Sequence, residues 1–261
     1  MESKNKSDAR IYNMVSRSSR SSTPNTPNTP KTSKNTSKNT TNTYSDLLFG
    51  SPVGTKASNC YAYALDAYAN RRTGKLQPGE LSGDPGSVDL ASCRDLLQKS
   101  EKDAATTSNV LARVDPSPSA RCPAGSYKIM AFLAKGEDYH WYRFHRDLLY
   151  RVRHPRTPAD LAAEFGVPLE NVQAPLKALA AGDLVLVRGA NVWSHKAGHS
   201  PDGPLLKDAC GKLIKDPRKA CRNYGGGLDY STMCSAFCYT KKNNMNGNNQ
   251  TDSLAKSSAR S

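Results

Sequence analysis

Tyr61, Ala64, Leu65 and Tyr68 recur at the i, i+3, i+4, i+7 spacing of one helix face. They predict a buried helix over roughly Ser58 to Arg72, capped by Ser58 or Asn59 and stopped before Gly74. A second helix is predicted from about Val88 to Ala105, with Leu90, Cys93, Leu96 and Leu97 facing inward. Between them Gln77-Pro78-Gly79-Glu80 and Gly83-Asp84-Pro85-Gly86 read as turns. Pro116, Pro118 and Pro123 mark an irregular connection, after which the pattern changes to that of strands. Strands are predicted over Tyr127 to Ala134, Asp138 to Phe144 and Val192 to Lys196, with a turn at Lys135-Gly136-Glu137 and a last apolar piece from Met233 to Tyr239.

The stretch between the second and third strands has an order of its own. Leu149 to Val152 reads as a strand, and Thr157-Pro158-Ala159-Asp160 as a helix start, with Thr as cap, Pro in the first position and an acid in the first turn. Leu161, Ala162, Phe165 and Val167 form its apolar side, and Gly166 ends it. Leu169 to Gln173 is expected as a second short helix and Leu184 to Val187 as a closing strand.

Residues 1–45 and 241–261 are low in apolar residues and rich in Ser, Thr, Asn and Lys, a composition that predicts disordered tails. The first carries eight Lys/Arg against two acids and the second four against one, so the ends hold nine of the fourteen surplus positive charges. The body is only modestly basic, which weakens nucleic acid as its target, while the tails suit non-specific contact with polyanions. No secretory signal and no membrane-length apolar run is recognisable. Seven cysteines, an odd count without an export signal, lead to reduced thiols and a cytoplasmic or virion setting as the expectation.

Cys60 falls in the first turn of the first helix, where unpaired N–H groups and the dipole favour a thiolate. His140 lies near the start of one strand and His195 on a later one. Taken alone, each is read as an ordinary buried or surface residue. In this order, the stretches Asn59-Cys60-Tyr61-Ala62-Tyr63-Ala64-Leu65, Asp138-Tyr139-His140-Trp141-Tyr142-Arg143 and Trp193-Ser194-His195-Lys196 resemble the NlpC-type branch of the papain-like cysteine peptidases. The resemblance covers roughly residues 55–145 and 189–240. It implies Cys60 as nucleophile, His140 as general base and His195 as the group that orients it. His145, His154 and His199 receive no role. Cys210, Cys221, Cys234 and Cys238 lack paired Cys-x-x-Cys knuckles, so no metal is expected and buried free thiols are. Cys93 and Cys122 are expected to be structural.

The 149–188 stretch resembles a LysM module, through Thr157, Leu161-Ala162, Phe165-Gly166-Val167 and Gly182-Asp183-Leu184-Val185-Leu186-Val187. It departs from that pattern at Pro155-Arg156, where Gly-Asp is usual, and lacks the usual Asn after the second helix. The resemblance implies binding of an N-acetylglucosamine-containing glycan, such as peptidoglycan or chitin, around Thr157, Pro158 and Ala159. A winged helix-turn-helix is the rival pattern over Ala159 to Leu179. Pro175 inside its recognition helix would cost about 3 kcal/mol, and Glu170 would face phosphates.

The expectation is therefore an α+β protein: a papain-like (NlpC-type) core over 46–148 and 189–240, an inserted βααβ LysM-like module over 149–188, and disordered termini over 1–45 and 241–261. The implied function is a Cys–His–His hydrolase of amide bonds, without cofactor or membrane contact. A non-catalytic LysM glycan-binding or virion structural protein, for instance of a large DNA virus, is the alternative, and a winged-helix DNA-binding protein the third.

Overall fold

The computed structural model describes residues 49, 52–67, 75–175, 177–198 and 203–242. All of them belong to the second of two units, 1–38 and 39–261, into which the chain divides. The two low-complexity ends expected to be disordered lie outside the described residues, apart from Lys241 and Lys242. Within the described part the protein is α+β, with antiparallel sheets and few helices. No helix among the described residues is long and apolar enough to cross a membrane.

The main sheet has five strands: β1 (Val110–Val114), β2 (Ser126–Ala134), β3 (Asp138–His145), β7 (Val192–His195) and β8 (Thr232–Thr240), in the order β1-β8-β2-β3-β7. Its central strand β2 is buried almost throughout, because both sheet faces are covered. On one face Tyr127, Ile129, Ala131 and Leu133 join Tyr139, Trp141 and Phe237 in a cluster with Tyr61, Leu96 and Leu97. On the other face Met130, Phe132 and Ala134 join Tyr142, Trp193, Ile214 and Tyr230. The alternation is the strand period of two, and two-sided burial explains why β2 reads as a continuous apolar run.

The first face carries the helices α1 (Pro52–Ala57), α2 (Cys60–Ala64) and α3 (Cys93–Thr106). The expected fifteen-residue first helix is far shorter. Asp66 takes a left-handed φ of +50°, and the bonds Ala67 N–H to Ala62 O and Asp66 N–H to Tyr63 O close the end in a Schellman arrangement. Tyr68, assigned to the same stripe, lies outside the described residues. The second helix begins at Cys93 and not near Val88, because Ser92 caps it by accepting from Arg94 N–H. The edge strand β1 and helix α1 carry no clear period in the sequence.

Between β3 and β7 stand β4 (Leu148–Arg151), α4 (Pro158–Phe165), β5 (Val172–Gln173) and β6 (Leu184–Val187), with a three-stranded sheet in the order β4-β6-β5. Thr157 and Asp160 form a reciprocal capping box, and Gly166 ends α4 at φ +63°. Leu148, Leu161, Phe165, Val172, Val185 and Val187 make a separate apolar cluster, which Ala190 and Val192 join. The expected second helix is a single 3-10 turn, Leu169–Asn171, because the chain turns into β5 and Val172 pairs with Val187. The same strand removes the recognition helix of the rival pattern from its place.

The expected free thiols are also corrected. Cys93–Cys234, Cys122–Cys238 and Cys210–Cys221 are disulfides, and Cys60 is the free cysteine. The first two fasten α3 and the Pro-rich connection to β8, and the third closes a loop in the segment covering the second sheet face. Sequence separations of 141 and 116 are invisible to any spacing rule, and six paired cysteines undo the odd-count argument for reduced thiols.

Candidate functional site

Cys60 is placed by anchors on every side of α2. Asn59 caps the helix, accepting from Ala62 N–H at 3.0 Å, and its own Nδ2 donates to Leu76 O at 2.7 Å. Tyr61 donates to the buried Asp103 carboxylate at 2.8 Å, which also accepts from Gly79 N–H and Ser82 N–H. At the C-terminal end Arg143 donates to Tyr63 O, pairs with Asp66 at 3.2 Å and lies 4.3 Å from the Tyr127 ring centroid. A cation beneath a helix C-terminus complements its dipole. A buried Tyr63–Ser194–His145 network ties the helix to β3 and β7, which gives His145 a structural place.

The thiol sits at an edge of β3. It donates to Tyr139 O at 3.8 Å, and the nearby main-chain N–H groups of Trp141 and Tyr61 favour its charged form. These β3 groups are unpaired by β7, whose ladder on β3 runs only from Tyr142 to His145. Around that edge, His140, Tyr142 and His195 share the second sheet face, since Tyr142 pairs with His195 and His140 stands two positions along. Cys60, His140 and His195 thus line one cavity of about 330 Å³. Sequence order alone does not establish this, because the helix and the two histidines approach from different faces of the sheet.

The histidines are linked. His140 Nε2 and His195 Nδ1 are 2.8 Å apart, and His195 Nε2 is 3.0 Å from Lys207 O. A carbonyl only accepts, so His195 carries its hydrogen on Nε2 and offers Nδ1 as acceptor. His140 then donates from Nε2, which leaves Nδ1, on the far side of the ring, as its proton acceptor. Burial holds both imidazoles below the ordinary histidine range, with the neighbouring His195 adding to the effect on His140. Neutral rings are what this tautomer chain requires.

The thiol departs from expectation. Burial, with the Asp138 carboxylate as a lesser cause, pushes Cys60 up to about 12, against the lowering from the two main-chain N–H groups and Lys196. The helix start is outweighed by desolvation, and the resting group is a thiol rather than a thiolate. No hydrogen bond joins it to His140 among the described residues; its bond goes to Tyr139 O.

Several wall residues carried no recognisable sequence signal. Tyr230 donates to Asp138 at 2.8 Å and its ring lies 5.0 Å from that of His140. Tyr224 Oη is 3.4 Å from His195 Nε2. Gln77 accepts from Tyr139 Oη at 2.6 Å, and Lys75 stands beside it in the lining. The 203–242 segment supplies Lys207, Tyr224 and Tyr230, and its Gly/Asp/Pro turns hid that role. Thr157 and Ala159 are exposed at the start of α4, with Pro158 half-buried between them, and none of the three lines this cavity. No group of three or more metal-ligating side chains occurs among the described residues.

No family model, curated protein or solved structure matches the chain.

Proposed function

We propose that the protein is a cysteine hydrolase of amide bonds, with Cys60 as nucleophile, His140 as general base and His195 as its positioning partner. The observation that carries this reading is the chain from Lys207 O through His195 to His140, which leaves His140 Nδ1 as a proton acceptor in a cavity shared with the free thiol. A cysteine at a helix start against an antiparallel sheet accords with a papain-like core.

In the mechanism the Cys60 sulfur attacks the acyl carbon while its proton passes to His140 Nδ1. The imidazolium then protonates the leaving amine, and the C–N bond breaks to give a thioester. Water, deprotonated by His140, attacks the thioester, and a carboxylic acid and the free thiol are released. The Cys60 main-chain N–H, a first-turn donor, and the Gln77 side-chain amide, whose Nε2 gives one hydrogen to Lys75 O at 3.3 Å and keeps a second, are the groups offered to the oxyanion. Because the thiol rests protonated, proton transfer accompanies attack rather than preceding it.

The substrate proposed is peptidoglycan, with the β4–β6 unit a LysM-like module that holds the glycan around Thr157, Pro158 and Ala159. Its separate apolar cluster supports treating it as a unit. One observation favours a second reading, a non-catalytic protein: Cys60 is 5% exposed and its thiol is held protonated. Intact-protein mass spectrometry after incubation with 4-nitrophenyl acetate separates the two. The hydrolase reading expects one acetyl group on Cys60, formed at least about a hundredfold more slowly in His140→Ala. Equal labelling of the two proteins, or none at Cys60, supports the inert thiol.

A further inference from the structure

A larger cavity, of about 650 Å³, lies at the opposite end of the β3–β7 hairpin. Phe144 and Trp193, a registered pair with rings 5.3 Å apart, form part of its wall. They share the sheet face of His140 and His195, and Phe144 stands four residues, about 14 Å, along β3 from His140. The wall is strongly basic: Arg121, Lys128, Arg146 and Lys215 line it against one carboxylate, Asp147.

The polar groups are not equivalent. Asp147 accepts Gly189 N–H at 2.8 Å, Lys128 donates to Ser117 O at 2.7 Å, and Lys215 donates to Phe165 O and Ala190 O. Arg121 and Arg146 are exposed and make no ion pair among the described residues. The Arg121 loop is held in position by the adjacent Cys122–Cys238 disulfide. Two uncommitted guanidinium groups at the mouth of a fixed cavity suit bidentate capture of a phosphate or carboxylate. Phe144, packed on the buried Trp193, supplies an apolar wall for a ring, and the volume falls in the range of small-ligand sites.

We propose that this cavity is a second binding site, independent of the hydrolase reading, for a ring-bearing organic oxyanion whose anionic group Arg121 and Arg146 hold and whose ring lies against Phe144, beside the buried Trp193. A nucleoside monophosphate and an acidic sugar share that chemistry.

The protein has two tryptophans, and Trp141 lies in the core on the opposite sheet face. In Trp141→Phe, therefore, Trp193 alone reports on the cavity. Adenosine monophosphate, glucuronate and inorganic phosphate are titrated at low salt, with saturation-transfer NMR on the wild-type chain as a measurement independent of the core substitution. At least one ring-bearing anion is expected to saturate, and to bind about tenfold or more tighter than phosphate. Which of them binds distinguishes a nucleotide from a sugar acid. The Arg121→Ala/Arg146→Ala variant is expected to weaken that binding about tenfold or more, as loss of a bidentate clamp does. Prior alkylation of Cys60 is expected to leave it unchanged. Absence of saturable binding by both ring-bearing anions, equal binding of phosphate, or undiminished binding by the double variant overturns the proposal.

Discussion

Replacing His195 separates positioning from mere packing. In His195→Leu the His140 Nε2–H loses its acceptor inside a site only 4% exposed, and an orphaned buried donor costs about 1–3 kcal/mol. Moving the hydrogen to Nδ1 relieves this, and that move blocks the atom proposed to accept the thiol proton. In His195→Gln the amide can still donate to Lys207 O and accept from His140, so the original tautomer persists. Proton transfer by a positioned base contributes about 10²–10⁴-fold. Acetylation of Cys60 by 4-nitrophenyl acetate is therefore expected to slow about a hundredfold or more in His195→Leu and to stay within about tenfold in His195→Gln. Imidazole nitrogen NMR is expected to find Nδ1 of His140 unprotonated in the wild type and in the Gln variant, and protonated in the Leu variant. Acetylation as fast in His195→Leu as in wild type, or a Gln variant no better than the Leu variant, would refute the relay.

Asp103→Ala leaves the Tyr61 hydroxyl and the N–H groups of Gly79 and Ser82 without their acceptor, so a stability loss of about 3 kcal/mol or more is expected from urea midpoints. Cys60→Ala removes little packing and is expected to cost no more than about 1–2 kcal/mol in the same assay. His140 and His195 titrate lower in the folded protein than in the unfolded chain, so the unfolded chain binds more protons as acid is added. Their contribution is full above the unfolded value of about 6.5 and is lost progressively below it. Urea midpoints are expected to fall between neutrality and acid, with a shallower slope in His140→Leu; identical slopes would contradict buried neutral imidazoles.

Much of the architecture was legible because both faces of the sheet are buried. The apolar run at Tyr127 to Ala134 and the aromatic-rich stretch Asp138 to Phe144 fall on β2 and β3, and the Thr157 cap and Gly166 stop bound α4 as their local chemistry requires. Local propensity misled where tertiary bonds decide. The apolar stripe beyond Leu65 suggested a longer helix, yet the left-handed Asp66 ends it, and Lys241 and Arg143 both bind the carboxylate of that residue. Val172 and Gln173, expected at the end of a second short helix, pair with β6 instead.

For the candidate site, the cysteine and two histidines were readable as residue types in order, whereas their setting was not. The Lys207 carbonyl that fixes the tautomers, and Tyr224 and Tyr230 on the cavity wall, come from a segment without secondary-structure period. The thiol's protonation depends on burial, and sequence gives the helix start but not the solvent exclusion that outweighs it. The disulfides likewise join positions more than a hundred residues apart in two cases out of three.

The most direct test of the hydrolase reading is the appearance of new amino groups when the protein is incubated with purified peptidoglycan and, separately, with a defined mixture of short peptides. Amine release is expected to accumulate with time in the wild type, to be lost in Cys60→Ala and to fall by at least about two orders of magnitude in His140→Ala. Amine release undiminished in Cys60→Ala, or none above background from either material, would contradict the hydrolase reading.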